Sequence, residues 1–209
     1  MSVPIIEIVI ESIVKDVIRA VQADVSLLDA VFPNLPAAEL TDAKEFFRRR
    51  KITVVQGWPR VPADLPCVAI VLAEKREVVV PLGEVMGPST VYADDGIVAR
   101  EVGSIWEGSW NVATWSENGN ATLYIDYLLE YVLTVRRPDL EVAGLSNVSY
   151  SAGDLRPKPE LQPQVVYARE RTIRGQYEVV VVPDERLLRR ITATAIIGDP
   201  VIEEGNPAD

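Results

Sequence analysis

The start of the chain carries apolar side chains at intervals of three and four positions, the period of an amphipathic helix. These positions are Ile6, Val9, Ile10, Ile13, Val14, Val17, Ile18 and Val21. Most are β-branched, which lowers intrinsic helix propensity, so we expect burial against a sheet to hold this helix. Ser2 and Pro4 suit its cap and first turn, and Pro33 and Pro36 require it to end before them.

The next hundred residues predict a short helix, several strands and a protruding segment. Residues 37–51 favour the short helix. Three β-branched runs bounded by Pro or Gly predict strands: 51–59, 65–74 and 76–85. Residues 83–103 contain Gly, Pro and Asp-Asp-Gly, and predict a loop or hairpin insertion. Asp94 and Asp95 fit a tight turn better than a calcium loop, because the EF-hand spacing is absent.

The segment EGSWNVATWSENGNATLYIDYLLEYVLTV, residues 107–135, predicts a strand that passes through a polar turn into a helix. Alternation places Trp106, Trp110 and Val112 on one face of the strand, while Trp115 has the opposite parity. The turn SENGN offers helix caps at Ser116, Asn118 and Asn120. A broad apolar stripe starts at Ala121, and Pro138 ends the helix.

The remaining chain predicts more strands and loose connections. Residues 140–164 indicate a strand followed by a Pro-rich connector at about 150–164. Residues 165–182 form a long strand with a bulge or bend at Gly175, 190–202 a final strand, and 203–209 a loose tail. The whole predicts one α+β domain over 1–209. Its sheet is mixed and mostly antiparallel, with two main helices packed on one face.

Composition restricts the chemistry. The formal net charge is −10, which argues against a protein wrapped on nucleic acid, although an acidic wall lets nucleic acid pass by repulsion. The chain has no histidine, which excludes Ser-His-Asp and Cys-His nucleophiles and His-ligated metals. Cys67 lies in an apolar run and is expected to be buried, and a lone cysteine fits a reducing compartment.

No phosphate-binding loop, dinucleotide fingerprint or nucleophile elbow occurs, so we assign no catalytic, cofactor-binding or metal residue and expect no cofactor. A carboxylate pair brought together by folding stays open as a route to an enzyme. The N-terminus has no basic leader pattern, and no run reaches the ~20 apolar residues of a membrane span. We therefore expect an intracellular chain without a membrane partner.

Two clusters have both a structural and a functional interpretation. The basic run Arg48, Arg49, Arg50 and Lys51 suits a solvated helix end, or a contact with an acidic partner or a phosphate. The tryptophan strand carries Glu107 and Glu117 but no Lys or Arg, which disfavours stacking of nucleic acid or sugar. Its aromatic side chains therefore belong to a core or a protein interface.

The order of elements, the size and the acidity resemble those of tail-terminator (tail-completion) proteins of long-tailed or contractile phages and phage-like particles. The resemblance covers roughly residues 1–200. The segments that carry it are IIEIVIESIVKDVIRAV, GSWNVATWSENGNATLYIDYLLEYVLTV and PQVVYARERTIRGQYEVVVV.

The resemblance implies a virion protein of the tail or neck, assembled in the host cytoplasm as a ring of the chain with itself, a hexamer. Such a ring caps the tail-tube protein, offers a surface to the neck or head connector protein and, in a contractile tail, contacts the sheath protein. DNA would pass through its lumen without specific binding. The alternatives are another neck connector or baseplate adaptor and, third, a soluble enzyme with a carboxylate-based site.

Candidate interface residues follow from exposure expected on a helix, a turn or the polar strand face. They are Trp115, Tyr127, Tyr131, Arg48, Arg49, Arg50, Tyr92, Asp94 and Asp95. Trp106 and Trp110 are expected in the core. We therefore expect Trp110→Ala to unfold the chain, and Trp115→Ala to impair assembly while leaving the fold intact.

Overall fold

The computed structural model describes residues 5–59, 64–78, 89–93, 96–155 and 166–181. The chain divides into two compact units. The larger unit comprises Pro4–Val79 and Ile105–Val179; the smaller comprises Met1–Val3, Val80–Ser104 and Val180–Asp209. The expectation of a single domain over 1–209 stays a prediction, because most of the smaller unit lies outside the described residues.

Five α-helices and six strands make up the described chain. The helices are α1 Ile6–Ala23, α2 Leu28–Val31, α3 Ala37–Arg49, α4 Gly119–Val135 and α5 Arg137–Val142. The strands are β1 Thr53–Gln56, β2 Cys67–Glu77, β3 Ser89–Ala93, β4 Gly96–Ser116, β5 Leu145–Asp154 and β6 Tyr167–Val181. A 3₁₀ turn, Val25–Leu27, joins α1 to α2.

The sheet of the larger unit has the order β1-β2-β4-β6-β5. β1 is parallel to β2, whereas β2 with β4 and β5 with β6 are antiparallel. In the smaller unit, β3 pairs antiparallel with residues 96–101 of β4. The predicted α+β class with a mixed, mostly antiparallel sheet is confirmed. The β3–β4 hairpin lies within residues 83–103, where the sequence predicts a loop or hairpin insertion.

The predicted amphipathic helix α1 packs its apolar stripe into the core. Its buried residues are Ile6, Ile10, Ile13, Val14, Ile18 and Val21. The helix contacts β1, β2 and α4. It ends well before the prolines, because Asp24 is extended (φ −139°) and its carboxylate accepts a hydrogen bond from the Ser26 N–H, which starts the 3₁₀ turn.

The two faces of β4 separate the tryptophans as the alternation predicts. Trp110 is 1% exposed and packs with Val112 in the core, and Trp106 packs partly buried against the same core. Trp115 faces the other side, where its ring meets the edge of Trp58 at 5.9 Å between centroids. Both core assignments, Trp106 and Trp110, are confirmed.

Three boundary predictions are wrong. Residues 76 and 77 end the long strand β2 instead of starting a new one. Leu140–Val142 is helical, because Pro138 occupies the first turn of a new helix, where its fixed φ is favourable. Residues 150–154 belong to β5 instead of a connector. Residues 79–88, 156–165 and 182–209, with the predicted final strand and tail, lie outside the described residues.

β-Bulges in β5 and β2 alter the register of the sheet of the larger unit. In β5 the extra residue lies between Ser146 and Ser149, opposite the predicted bulge position Gly175. A Cβ at Gly175 would lie 2.7 Å from the Leu145 Cγ, so only glycine fits there. In β2, Leu72 and Glu74 pair with two consecutive residues of β4, so residue 73 between them is the extra residue of a bulge.

Candidate functional site

A cleft of about 530 Å³ lies between α4 and the β5–β6 hairpin, wholly within the larger unit. It combines charged, hydroxyl and aromatic side chains. Its lining residues are Asp126, Tyr127, Glu130, Leu133, Thr134, Tyr150, Ser151, Ala152, Gly153, Asp154, Arg169 and Arg171.

Local rules of helix and strand geometry position the walls of the cleft. Asn118 caps α4 by accepting hydrogen bonds from the N–H groups of Asn120 and Ala121, which selects one of the three predicted caps. Asp126 and Glu130 lie four residues apart on α4, so they share one helix face. On the hairpin, Asp154 pairs in register with Arg169, which places the two side by side.

A buried ion pair forms the floor of the cleft. Asp126 is 2% exposed and Arg171 is 8% exposed. The Arg171 Nε and Nη2 donate to the two carboxylate oxygens of Asp126, each at 2.8 Å, in the bidentate geometry that guanidinium and carboxylate favour. Because both groups have left water, the pair depends on this mutual satisfaction.

The outer wall repeats the same chemistry at greater exposure. Arg171 Nη2 also donates to Glu130 Oε2 at 2.7 Å, and Arg169 Nε donates to Asp154 Oδ1 at 2.7 Å. The Arg169 guanidinium carbon lies 5.8 Å from the centroid of the Tyr127 ring, a cation–π contact. The side chains of Glu130 and Asp154 are 54% and 72% exposed. Each therefore offers a second carboxylate oxygen to an incoming donor.

Tyr150 fixes the hairpin to the helix at the inner end of the cleft. Its hydroxyl donates to the Leu133 carbonyl oxygen at 2.9 Å. Burial raises the pKa of this hydroxyl, and the nearby Arg137 opposes that shift. The tyrosine thus stays neutral and acts as a structural tie at ordinary pH.

An exposed aromatic stripe runs along α4 beside the cleft. Tyr127, Tyr131 and Val135 recur every four residues, so they lie in one row on the helix surface. They are 48%, 42% and 55% exposed. We call this row the α4 stripe. Tyrosines at the edge of a charged cleft are typical of protein-binding surfaces.

Three carboxylates converge in the cleft, as a carboxylate-based enzyme would require. A general acid or base needs a proton-accepting oxygen within reach of substrate. Both oxygens of Asp126 instead accept from Arg171, and Glu130 and Asp154 each use one oxygen in an ion pair. The arrangement can accept further hydrogen bonds from a cationic group at its outer wall. Among the described residues, no group of three or more potential ligands is placed to bind a metal ion.

The predicted interface residues fall on separate surfaces. Tyr127 and Tyr131 belong to the α4 stripe. Arg48 and Arg49 end α3, and Arg50 follows it; all three are exposed. Tyr92 pairs with Ile97 in the β3–β4 hairpin of the smaller unit, and its side chain lies outside the description, as do Asp94 and Asp95.

Trp115 lies on the face of the sheet opposite α1 and α4. It is half-buried, with the 51% exposed Trp58 beside it. Cys67 is its register partner on β2 and is fully buried, as predicted. Burial and, to a smaller extent, the charge of Asp64 raise the pKa of the Cys67 thiol to about 12. The thiol is therefore protonated and unreactive at neutral pH.

The cleft itself was not predicted from the sequence. Arg169 and Arg171 occupy the positions of β6 that alternate with the polar set of Glu170 and Arg174, so they stand on the apolar face. Asp126 interrupts an apolar helix stripe. Both α4 and β6 thus carry a charged residue within an apolar pattern. Because buried charges need partners, this is the signal in the sequence that the two elements meet.

Comparison with known proteins finds no family model that matches the chain and no significantly similar curated protein. In the part of the chain that the structure describes, no helix has the length and apolar character to cross a membrane.

Proposed function

We propose that this chain is a structural virion protein that assembles into a ring and terminates a phage tail tube. The proposal takes its biological setting from the resemblance in element order, size and acidity. The structural observation that carries it is the α4 stripe beside the cleft. It is a solvent-exposed row of two tyrosines and a valine, bordered by paired charges.

The composition of this surface favours a protein partner. Tyr and Arg are enriched at interfaces, because both offer a large contact area together with hydrogen bonds or cation–π contacts. Tyr127 already carries the Arg169 guanidinium over its ring. A macromolecular surface that supplies apolar and cationic groups together would complement the stripe and the outer wall of the cleft.

The charge of the chain supports passage of DNA through a ring. Six chains at −10 each carry about −60 before counter-ions. A lumen lined with part of this charge repels the DNA backbone, so DNA slides through without being held. This argument rests on total charge and assigns no particular side chain to the lumen.

Another neck connector or baseplate adaptor is the first alternative, because it needs the same kind of interface. The second is an enzyme, favoured by the three carboxylates of the cleft. Asp126 weighs against it, since this carboxylate is buried and bound at both oxygens. Glu130 and Asp154 are accessible, so they are the carboxylates that an enzyme of this kind would use.

Mass photometry of the purified chain, alone and mixed with the tail-tube protein, tests the proposal. We expect a ring. Tyr131→Ser should weaken assembly, because it removes an exposed aromatic from the α4 stripe. Ile8→Ser is the matched control, since Ile8 is an exposed apolar residue (53%) on α1. A chain that stays monomeric even with tube protein contradicts the proposal.

Electron micrographs of particles made without this protein separate the two structural roles. Overlong tails indicate loss of termination. Tails of normal length that lack heads indicate a connector. Normal particles of wild-type length with heads attached contradict both structural roles and leave the enzyme hypothesis.

A further inference from the structure

We propose that the cleft between α4 and the β5–β6 hairpin receives the arginine run Arg48–Arg50 of a second copy of this chain, so that copies associate head to tail. The inference rests on the proposed self-assembly and names the two surfaces that perform it. The run and the cleft both belong to the larger unit.

The arginine run is exposed and held at its backbone. Gln22 Nε2 donates to the Arg50 carbonyl oxygen at 2.8 Å, which anchors the end of α3 to α1. Arg49 forms an ion pair with Glu45 one turn earlier, at 2.5 Å. Among the ion pairs of the described residues, none joins Arg48 or Arg50 to a carboxylate. Two guanidinium groups are thus presented from a fixed backbone.

The run and the cleft lie at opposite ends of the sheet. The run leads directly into β1, the first strand in the sheet order, and the cleft is built on β5, the last. At about 4.8 Å between neighbouring strands, these two strands are roughly 19 Å apart. The run and the hairpin wall of the cleft therefore lie apart within one chain, and the occupant we propose is another copy.

The chemistry of the outer wall matches a guanidinium group. Within one chain, Arg169 already binds in this way, with its Nε on Asp154 and its carbon 5.8 Å from the Tyr127 ring. Glu130 lines the cleft and offers a half-exposed carboxylate, and Tyr131, on the α4 stripe beside the cleft, offers an exposed ring. An arginine from another copy finds there the kind of contacts that Arg169 makes.

Both ends of the sheet have an edge that lacks a strand neighbour among the described residues. The N–H groups of Thr53 and Gly57 point to β2, so alternation directs those of Val54 and Gln56 to the outer side of β1. On β5, Arg137 Nη2 donates to the Val148 carbonyl oxygen. This contact covers one part of that edge, and the later residues of β5 stay uncovered by it. Edge strands of this kind are ordinary sites of association between chains.

Charge selects head-to-tail contact over a symmetric dimer. Two clefts facing each other would oppose carboxylates to carboxylates, and two runs would oppose arginines to arginines. Only the unlike ends attract. Repetition of one such heterologous contact produces a ring when the rotation between copies closes.

Charge reversal on each side tests the inference. One variant is Arg48→Glu/Arg50→Glu, and the other is Glu130→Lys/Asp154→Lys. Exposed ion pairs are worth little singly, and two reversals together should weaken association about tenfold to a hundredfold. Sedimentation equilibrium measures this, and circular dichroism checks that each variant is folded. Asp16→Lys/Glu39→Lys, two exposed acids on helices, is the charge-matched control for the second variant.

An equimolar mixture of the two reversed variants provides the decisive result. Each variant keeps one native surface that fits the other, and their reversed surfaces also attract, so the mixture should recover the wild-type mass. Unchanged assembly of either variant alone, or no recovery on mixing, overturns the inference while the ring proposal stands. A wild-type chain that is monomeric with and without tube protein overturns both.

Cysteine cross-linking gives a second measurement that does not depend on the reversed variants folding. Arg50→Cys and Asp154→Cys are made as separate single variants; the native Cys67 is buried and does not compete. Under mild oxidation, the mixture should yield disulfide-linked dimers that neither variant yields alone. Equal cross-linking in the unmixed samples would show a symmetric contact and overturn the head-to-tail arrangement.

Discussion

Replacement of Asp126 by Ala tests whether the buried ion pair holds α4 to β6. The change leaves Arg171, 8% exposed, with only the partly exposed Glu130 carboxylate and the residue-126 carbonyl oxygen as acceptors. Breaking a buried pair by removing one partner typically costs about 3–5 kcal/mol. Because Glu130 remains, we expect about 3 kcal/mol, which is a large fraction of the ~5–15 kcal/mol of a typical domain.

Urea unfolding followed by tryptophan fluorescence is the assay. All four tryptophans belong to the larger unit, so the signal reports on the unit that contains the ion pair. With a urea dependence of roughly 2 kcal/mol per molar, the midpoint should fall by about 1.5 M. Asp16→Ala is the control. Asp16 is an exposed acid whose contact with Arg19 is 4.0 Å long, and its loss should cost less than about 0.5 kcal/mol.

A double-mutant cycle with Arg171→Met separates the ion pair from the effects of each side chain alone. When both charges are removed, no uncompensated charge stays buried, so the double variant should cost no more than Asp126→Ala. A coupling free energy of about 2–3 kcal/mol is expected. A cost below about 1 kcal/mol for Asp126→Ala, or a coupling near zero, would refute the assignment of this pair as the link between helix and sheet.

Three further substitutions and one control, Gly153→Ala, probe the sheet. Gly108→Ala should lower the free energy of unfolding by about 1–3 kcal/mol, because the added Cβ would lie 2.2 Å from the Trp110 ring. The control Gly153→Ala places its Cβ where no atom lies within 4 Å and should lower it little, so equal urea midpoints for the two variants would contradict the prediction. Thr114→Val should stabilise by about 1 kcal/mol, since the fully buried hydroxyl of Thr114 has no hydrogen-bond partner in the described structure, and a lower melting temperature would count against it. Burial raises the pKa of Glu170, so its ionised form opposes folding, and this destabilisation grows as pH rises from the pKa of the unfolded state through that of the folded state. Glu170→Gln should therefore raise the free energy of unfolding at pH 7 but not at pH 3.5. An equal gain at both pH values would contradict the sign of the shift.

Periodicity predicted the parts of the fold that depend on neighbours in sequence. The stripe of α1, the opposite faces of Trp110 and Trp115, and the helix after the SENGN turn each follow from spacing within one element. α5 was missed because Pro138, which ends α4 in a local sense, also suits the first turn of another helix.

The cleft depends on contacts that local patterns do not encode. Asp126 and Arg171 are separated by 45 positions, and nothing in the spacing of either element specifies that they meet. The exposed tyrosines Tyr127 and Tyr131 were predictable as the part of α4 that extends beyond its apolar stripe. Their relation to Arg169 was not, because it depends on the docking of the hairpin.

The extra residue at position 73 changes how distant relatives of this chain can be recognised. Before it, even-numbered residues of β2 such as Ile70 pack into the core; after it, Lys75 lies 5.2 Å from the ring centroid of the buried Tyr177. A homologue that had lost this residue would keep the same surfaces only with a one-position gap there. An alignment that allows this single gap, and expects core-facing residues at odd instead of even positions after it, would detect such homologues better than one that penalises every gap inside a strand.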